Sequence, residues 1–464
     1  MVKYVSDKSY EEIFSEFEEI TNHYNRRDQY FDILYDSVSS TTIAKTPSSE
    51  NFSVNTKKSG IVARTFSGIW KEVAIEESSD IGVIKNKIPK LTKKGDAIAE
   101  FDGWELNKEI IPKIDPSNKP VADKIKKVRE IYDYIKNYDK RIINVQVKYM
   151  EFLIERIFVN NEGCKLRQVI PRIRIMVLPI AKEGSVVDYD YSVISGEIGY
   201  EIFDLFDNEL LEKAVKNSLE MLKAELPPAG RRTIILDNQM TGLIAHESFG
   251  HGLEADQILR DRSYLKQHLN KQVASNICTI YDTPSLDKKL GSYFFDDEGI
   301  KAGNNVLVEN GILKNFIYGR RSASELSAIP QGNGRRESFA HPINVRMTNT
   351  YFGPGDYDLS EMISEINDGV MLVHGFFGME DPLGGGMQCT SKKAYLIENG
   401  EKTKILKATA LSGDVLELLK NIDAVSKDST KLDGGTCGKG SEDFVPVTSG
   451  GSYLRVKNAL VSPG

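Results

Sequence analysis

Residues 246–251 read His246-Glu247-Ser248-Phe249-Gly250-His251, so two of the chain's six histidines bracket a carboxylate at a spacing of five. Neutral imidazoles are common zinc ligands, and a glutamate beside them can take a proton from an attacking water. In the usual zinc-protease pattern the second histidine follows the first by four residues, which puts both on one helix face. At a spacing of five, an ideal α-helix turns the two rings about 140° apart. If both serve one ion, the helix must be distorted, and a π-type turn is the distortion that brings i and i+5 together. Gly250 and Gly252 are expected to lower the resistance to it. The competing reading is two histidines that only pack in a core or lie on a surface, and the motif alone does not separate the two.

The rest of the chain sets limits. At 464 residues it has material for two or three domains. With 40% hydrophobic and 27% charged residues it is neither disordered nor fibrous in character. A formal net charge of −7 argues against a broadly basic nucleic-acid surface. The polar start, Met1 to Lys8, lacks the apolar segment of a signal peptide, and no apolar run approaches about 18 residues. A soluble, cytoplasmic protein with no nucleic-acid or membrane partner is expected. Its four cysteines, Cys164, Cys278, Cys389 and Cys437, are too scattered for a disulfide framework and are expected to be reduced.

Read in order, Ser9 to Tyr24 spaces Ile13, Phe14, Phe17 and Ile20 as an amphipathic helix, with His23 at its carbonyl end. Gln29 to Thr42 and Gly60 to Ile75 read as strands around a loop at Pro47. Val121 to Tyr138 is a helix, and Ile142 to Tyr149, Glu151 to Asn160 and Cys164 to Pro179 read as an antiparallel meander. Glu209 to Ala224 is again helical and ends at Pro227-Pro228, a boundary signal. Thr233 to Asp237 reads as a buried strand leading into the motif. The second half is richer in glycine clusters and short strands, which suggests a β-rich domain with many tight turns. The expected fold class is α+β: an N-terminal α/β-layered domain over residues 1–228 with antiparallel strands, then a β-rich C-terminal domain over 229–464 carrying the histidine motif. Gly384-Gly385-Gly386 lacks the lysine of a P-loop and reads as a turn.

A catalytic zinc usually has three protein ligands, and the motif supplies two. Spacing leaves Cys437, in the glycine-rich Leu432 to Gly440, and Glu254 about level as the third. His268 and His374 read as packing or surface residues. Arg335 and Arg336, followed by His341, could bind a peptide carboxylate or help hold an oxyanion, with structural ion pairs as the competing reading. Glu254 and Asp256 could orient a ligand histidine, with a salt bridge as the equal competitor.

His246 to Asp256, Phe295 to Gly299, Gly332 to Ser338, Arg346 to Thr350 with Pro354-Gly355, Ala394 to Gly400 and Cys437 to Gly440 together resemble the TldD/PmbA metalloproteases, in the family's order across the second half. The resemblance implies one Zn²⁺ held by His246, His251 and Cys437, with Glu247 as general base. It further implies an active TldD-type subunit that hydrolyses peptide bonds in small peptides or unfolded, extended segments. Such a subunit pairs as a homodimer, or as a heterodimer with a TldE/PmbA-type sister, and holds its substrate as a strand on a sheet edge. The alternative is a non-catalytic interaction subunit whose metal site is structural or vestigial.

Overall fold

The computed structural model describes residues 8–24, 29–76, 82–88, 98–427 and 431–464. The polar start read from the sequence, Met1 to Asp7, lies outside them. The fold is mixed α+β and rich in strands.

Long runs of β-branched and aromatic residues build one eight-stranded sheet from the first half. Six strands lie in the spatial order Trp70–Glu76, Glu50–Phe66, Tyr30–Lys45, Ile142–Asn160, Lys165–Glu183, Glu105–Glu109, and Val186–Tyr189 and Ser192–Gly196 also pair with Lys165–Glu183. The run Gly60 to Ile75 is not one strand. It turns at Ser67-Gly68-Ile69, where Gly68 takes φ +83°. Conversely, Ile142–Asn160 is a single strand and does not break at Met150, which stays in register with both neighbours, opposite Thr42 and Arg174. One face of this sheet carries three helices, and the other packs on the second half, where Leu34, Phe158 and Leu166 meet Phe295. Helix Val121–Tyr138 lays Val128, Ile131, Tyr132 and Ile135 on one face, together with Leu211, Ala214 and Val215 of helix Asn208–Met221. Helix Tyr10–Thr21 starts at a Ser9/Glu12 capping box and packs Ile13, Phe14, Phe17 and Ile20 against Phe31, Ile33 and Tyr35.

Beyond residue 229 the pairings of five strands close on themselves: Asp368–Glu380, Gly230–Leu236, Leu454–Pro463, Thr409–Asp414 and Gly386–Glu398, which returns to Asp368–Glu380. Strand alternation sends Ile234, Leu236, Val370 and Leu372 into the main core, where Met240, Ile244, Ala245 and Phe249 meet them. Ile235 and Met371 face the other way, onto Met362 and Ile366. A six-stranded sheet runs Ile312–Leu313, Asn305–Glu309, Ile280–Asp282, Asn349–Phe352, Glu442–Gly451, Lys431–Lys439. Among the described residues its last strand pairs on one side only, and that strand carries Cys437.

Buried ion pairs tie the first sheet to the second half. Arg64 pairs with Asp32 and Glu298, Arg156 with Asp36 and Asp297, and Arg320 with Glu162. Such pairs are costly to break singly, because the survivor is left as a buried charge. Among the described residues no helix is long and apolar enough to cross a membrane.

Candidate metal centre

Strand Gly230–Leu236 delivers the chain to Asp237, whose Oδ1 caps the next helix by accepting from the Met240 N–H at 2.8 Å. That helix, Asn238–Leu243, passes into a π-helical segment over Ile244–Gly250, and the His251 N–H donates to the His246 carbonyl, an i to i+5 bond. The distortion required by the five-residue spacing is present at the expected place. The glycine has a different job from the one expected of it. Gly250 takes ordinary helical angles, φ −62° and ψ −44°. A Cβ there would strike Met347 Sδ and come within 2.8 Å of the Ala245 carbonyl oxygen, so glycine is needed for close packing. Gly242 likewise lets the helix rest on the backbone of Gly450, whose Cα a Cβ would approach to 2.7 Å. The helix is thereby pressed against Glu442–Gly451, the partner of the strand bearing Cys437.

This seating gathers three side chains. One donor atom from each of His246, His251 and Cys437 lies within 4.8 Å of the other two. The imidazole centroids are 5.2 Å apart with planes at 83°, and Cys437 Sγ is 3.5 Å from His251 Nε2. Burial opposes ionisation of Cys437, but the two imidazoles outweigh it and bring the thiol down to about 4. Burial likewise opposes protonation of the rings. Glu254 together with the Cys437 sulfur holds His251 well above its ordinary range, and Cys437 and Glu247 raise His246.

The second ring nitrogen of His251 is spoken for, since Nδ1 lies 3.3 Å from Glu254 Oε2. Glu254 is in turn held by Lys439, whose Nζ donates to Glu254, Asp256 and the Val345 carbonyl at 2.9 Å each. Burial pushes Glu254 up, and Lys439 and His251 pull it down further, to about 2. Of the two carboxylates, Glu254 is the one that meets the His251 ring, whereas Asp256 helps anchor the lysine. Cys437 is fixed through its backbone. Its carbonyl accepts from Arg346 Nη2 at 2.6 Å, and Arg346 Nη1 pairs with Glu442 at 2.7 Å, with neither side chain exposed.

Glu247 faces the opening of the site with a third of its side chain exposed, Oε2 3.8 Å from His251 Nε2. Strand Asp368–Glu380 passes so close that a Cβ on Gly378 would sit 2.8 Å from Glu247 Cγ. Two residues on, Glu380 has both carboxylate oxygens buried without a hydrogen-bond partner. Burial pushes it up to about 8, with Glu254 and Glu247 adding to the rise and His251 opposing it. No local pattern marks Glu380 or Glu442 as belonging here, and Arg346 and Lys439 lie in family-like stretches with no role legible from them.

The donors fit a metal. Neither ring nitrogen of His246 has a hydrogen-bond partner although the residue is buried, which is costly unless something else occupies those lone pairs. Two imidazoles and a thiolate suit zinc and not magnesium or calcium.

The remaining candidates are engaged elsewhere. Arg335 donates to the Met347 and Pro446 carbonyls, both at 2.7 Å, and Arg336 pairs with Glu72 and donates to the His341 carbonyl. Both guanidinium groups are buried, and His341 Nδ1 lies 2.9 Å from Ser338 Oγ. These bonds belong to the structural alternative named for the pair. His23 Nδ1 meets the Glu19 carbonyl and His268 Nδ1 the Tyr264 carbonyl, as helix-end packing requires. His374, at φ +61°, binds Asp190 through Nδ1 at 2.9 Å.

Known proteins resemble this chain in sequence and in fold. The family model for the PmbA/TldA metallopeptidase C-terminal domain matches residues 229–463, and that for the central domain matches 114–222. The chain belongs to the PmbA/TldD metallopeptidase family. A protein named a metalloprotease from Methanothermobacter thermautotrophicus is 34% identical over 398 residues, covering 85% of this chain and 86% of the relative. A zinc metalloprotease TldD homolog from Saccharolobus solfataricus is 31% identical, over 74% and 77% of the two chains. The crystal structure of TldE from Thermococcus kodakarensis superposes with a TM-score of 0.73 at 18% identity, over 97% and 99%, and so shares the fold.

Proposed function

We propose that this member of the PmbA/TldD family is a zinc-dependent peptidase in which His246, His251 and Cys437 hold the metal and Glu247 is the general base. The observation that carries the reading is the convergence of two motif histidines with a cysteine 186 residues further on, donor atoms within 4.8 Å, beside a glutamate one-third exposed. The ion would supply Lewis acidity to a scissile carbonyl and to the water that attacks it. Glu247 takes the proton of that water and returns it to the leaving amine nitrogen. Glu254 and Lys439 hold His251 with Nε2 toward the site, while Arg346 and Glu442 hold the Cys437 carbonyl.

Small peptides or extended, unfolded segments are the substrates in this reading. The unpaired side of strand Lys431–Lys439 offers main-chain donors and acceptors beside the cysteine, and pairing through them is tolerant of side chains. Residues 1–228 then serve assembly and the substrate chamber, and 229–464 catalysis. The active form is a cytoplasmic dimer, of this chain with itself or with a TldE/PmbA-type sister, a partnership for which the likeness to TldE gives support. Arg335, Arg336 and His341 act as structural braces, through the Met347 and Pro446 carbonyls, Glu72 and Ser338.

The test is metal analysis together with hydrolysis of extended peptides by the wild type and Glu247→Gln. Retained zinc with turnover reduced about 10²–10⁴-fold is expected for loss of a general base. Full activity in Glu247→Gln refutes the mechanism. Zinc-loaded wild type that cleaves no peptide, even with a sister subunit present, moves the protein to the interaction-subunit reading.

A further inference from the structure

Away from the metal trio, a cavity of about 1050 Å³ opens beside strand Ser192–Gly196. Its size is at the upper end of the range of ordinary ligand sites. Trp104, Leu106, Ile198 and Phe294 form apolar wall, and one buried acid, Glu197, reaches the cavity from that strand's end. Glu197 Oε1 accepts no hydrogen bond, and among the described ion pairs none includes Glu197. Burial pushes its carboxyl up to about 7, with Arg172 opposing the rise from beyond ion-pair distance and Asp287 adding to it. Arg172 Nη2 donates to the Ser292 carbonyl at 2.6 Å, and its buried Nε has no partner. Glu201, also in the wall, is fully engaged by the backbone N–H groups of Lys113, Ile114 and Gly199.

Its inner wall holds a carboxylate without an ion-pair partner, and the exposed lysines Lys108, Lys113, Lys288 and Lys301 stand around its mouth together with the exposed Asp204 and Asp287. Lys108 and Lys301 lie over the faces of Phe294 and Trp104. A simple amine would satisfy Glu197 but leave the rim lysines unused. A zwitterion satisfies both, and the apolar wall between calls for apolar side chains. A cube of this volume is about 10 Å on edge, the span of about three extended residues.

We propose that this cavity is a second binding site, distinct from the metal trio, for a short apolar peptide held by its free N-terminal ammonium at Glu197 and its carboxylate among the rim lysines. The site goes beyond the peptidase reading and needs no turnover. It is not isolated from the other centre. Ser195, two residues before Glu197, packs on Gly434 of the strand that carries Cys437, where a Cβ would also meet Leu290 Cβ at 2.9 Å.

The chain's two tryptophans give a local readout, because only Trp104 lines the cavity. In the full chain carrying Trp70→Phe and Glu247→Gln, with zinc supplied, titration with trileucine is expected to give a saturable change in Trp104 emission. N-acetyl-trileucine and trileucine amide should each bind at least tenfold more weakly. Adding Glu197→Gln should produce the same loss with a melting temperature no lower than that of the parent. No saturable change, equal binding of the acetylated peptide, or hexylamine binding as tightly as trileucine would each overturn the proposal. Should Glu197→Gln fail to fold, the acetylated peptide still decides with Glu197 in place. Since emission is read and not cleavage, the result is independent of whether Glu247 is a catalytic base.

Discussion

Gly250→Ala sets two effects of opposite sign against each other. Gly250 has helical angles, so propensity alone favours alanine by about 1 kcal/mol. The new Cβ, however, would lie 2.8 Å from the Ala245 carbonyl oxygen, against about 3.3–3.6 Å for a comfortable carbon–oxygen contact, and would strike Met347 Sδ. Met347 is 1% exposed, so its sulfur has little room to withdraw. Overpacking of this kind costs about 1–3 kcal/mol. With two obstructions the upper part of that range applies, leaving a net loss of about 1–2 kcal/mol and a fall of about 2–4 °C in Tm. The strain falls on the turn between the two histidines, so zinc affinity, read by competition with a chromogenic chelator, should fall about tenfold. Gly250→Ala/Met347→Ala relieves the sulfur contact and leaves the carbonyl contact, so it should restore packing around the new methyl without restoring zinc affinity. A Gly250→Ala protein that melts at or above the wild-type temperature and keeps its zinc would refute the packing argument.

Cys437→Ser should lose zinc and, with it, the dependence of Tm on added zinc, which for the wild type is worth about 2.7 kcal/mol at a hundredfold excess over Kd. Lys439→Met leaves Glu254, 2% exposed, as a buried carboxylate without its cation. Denaturant unfolding should show a loss of about 3 kcal/mol, and wild-type stability would remove Lys439 from the support of His251. Glu197 is protonated more readily in the fold, at about 7, than at its unfolded value of 4.5. Its contribution is therefore favourable at low pH and declines from about pH 4.5 to 7, by about 3 kcal/mol in all. Glu197→Gln should accordingly unfold at higher denaturant than wild type at pH 8 and show little difference at pH 4, and equal midpoints at pH 8 would contradict the burial argument.

Periodicity identified the elements whose cause is local. Val121–Tyr138 carries its buried stripe in its own sequence, and the spacing of His246 and His251 called for a π-type turn on the condition that both serve one ion. The supposed break at Met150 was misread because a sheet covered on both faces needs no clean polar alternation, and the ladder to Thr42 and Arg174 runs on regardless. Cys437 and Glu254 could not be ranked from spacing, since choosing between them depends on how Glu442–Gly451 meets the helix at Gly242. Glu442 and Glu380 act through partners or surroundings distant in sequence, and nothing in their immediate neighbours reports it; Arg346 and Lys439 lie in family-like stretches, but their partners are equally distant. Arg335 and Arg336 show the converse: adjacent guanidinium groups suggested an anion site, but the fold had backbone carbonyls and Glu72 waiting for them.

The open edge at Lys431–Lys439 also bears on self-association. A strand with an unpaired side invites any other strand, including one from a second copy, and proteins commonly blunt such edges with charge, proline or a covering helix. Here a lysine stands at each end, and Gly434, Gly435 and Gly438 between them offer no side chains to interlock with a neighbour. Main-chain pairing remains available while the side-chain zippering that would make it permanent is missing. An extended chain docked on this edge would be held weakly and released readily, and two copies would have little to lock them together edge to edge.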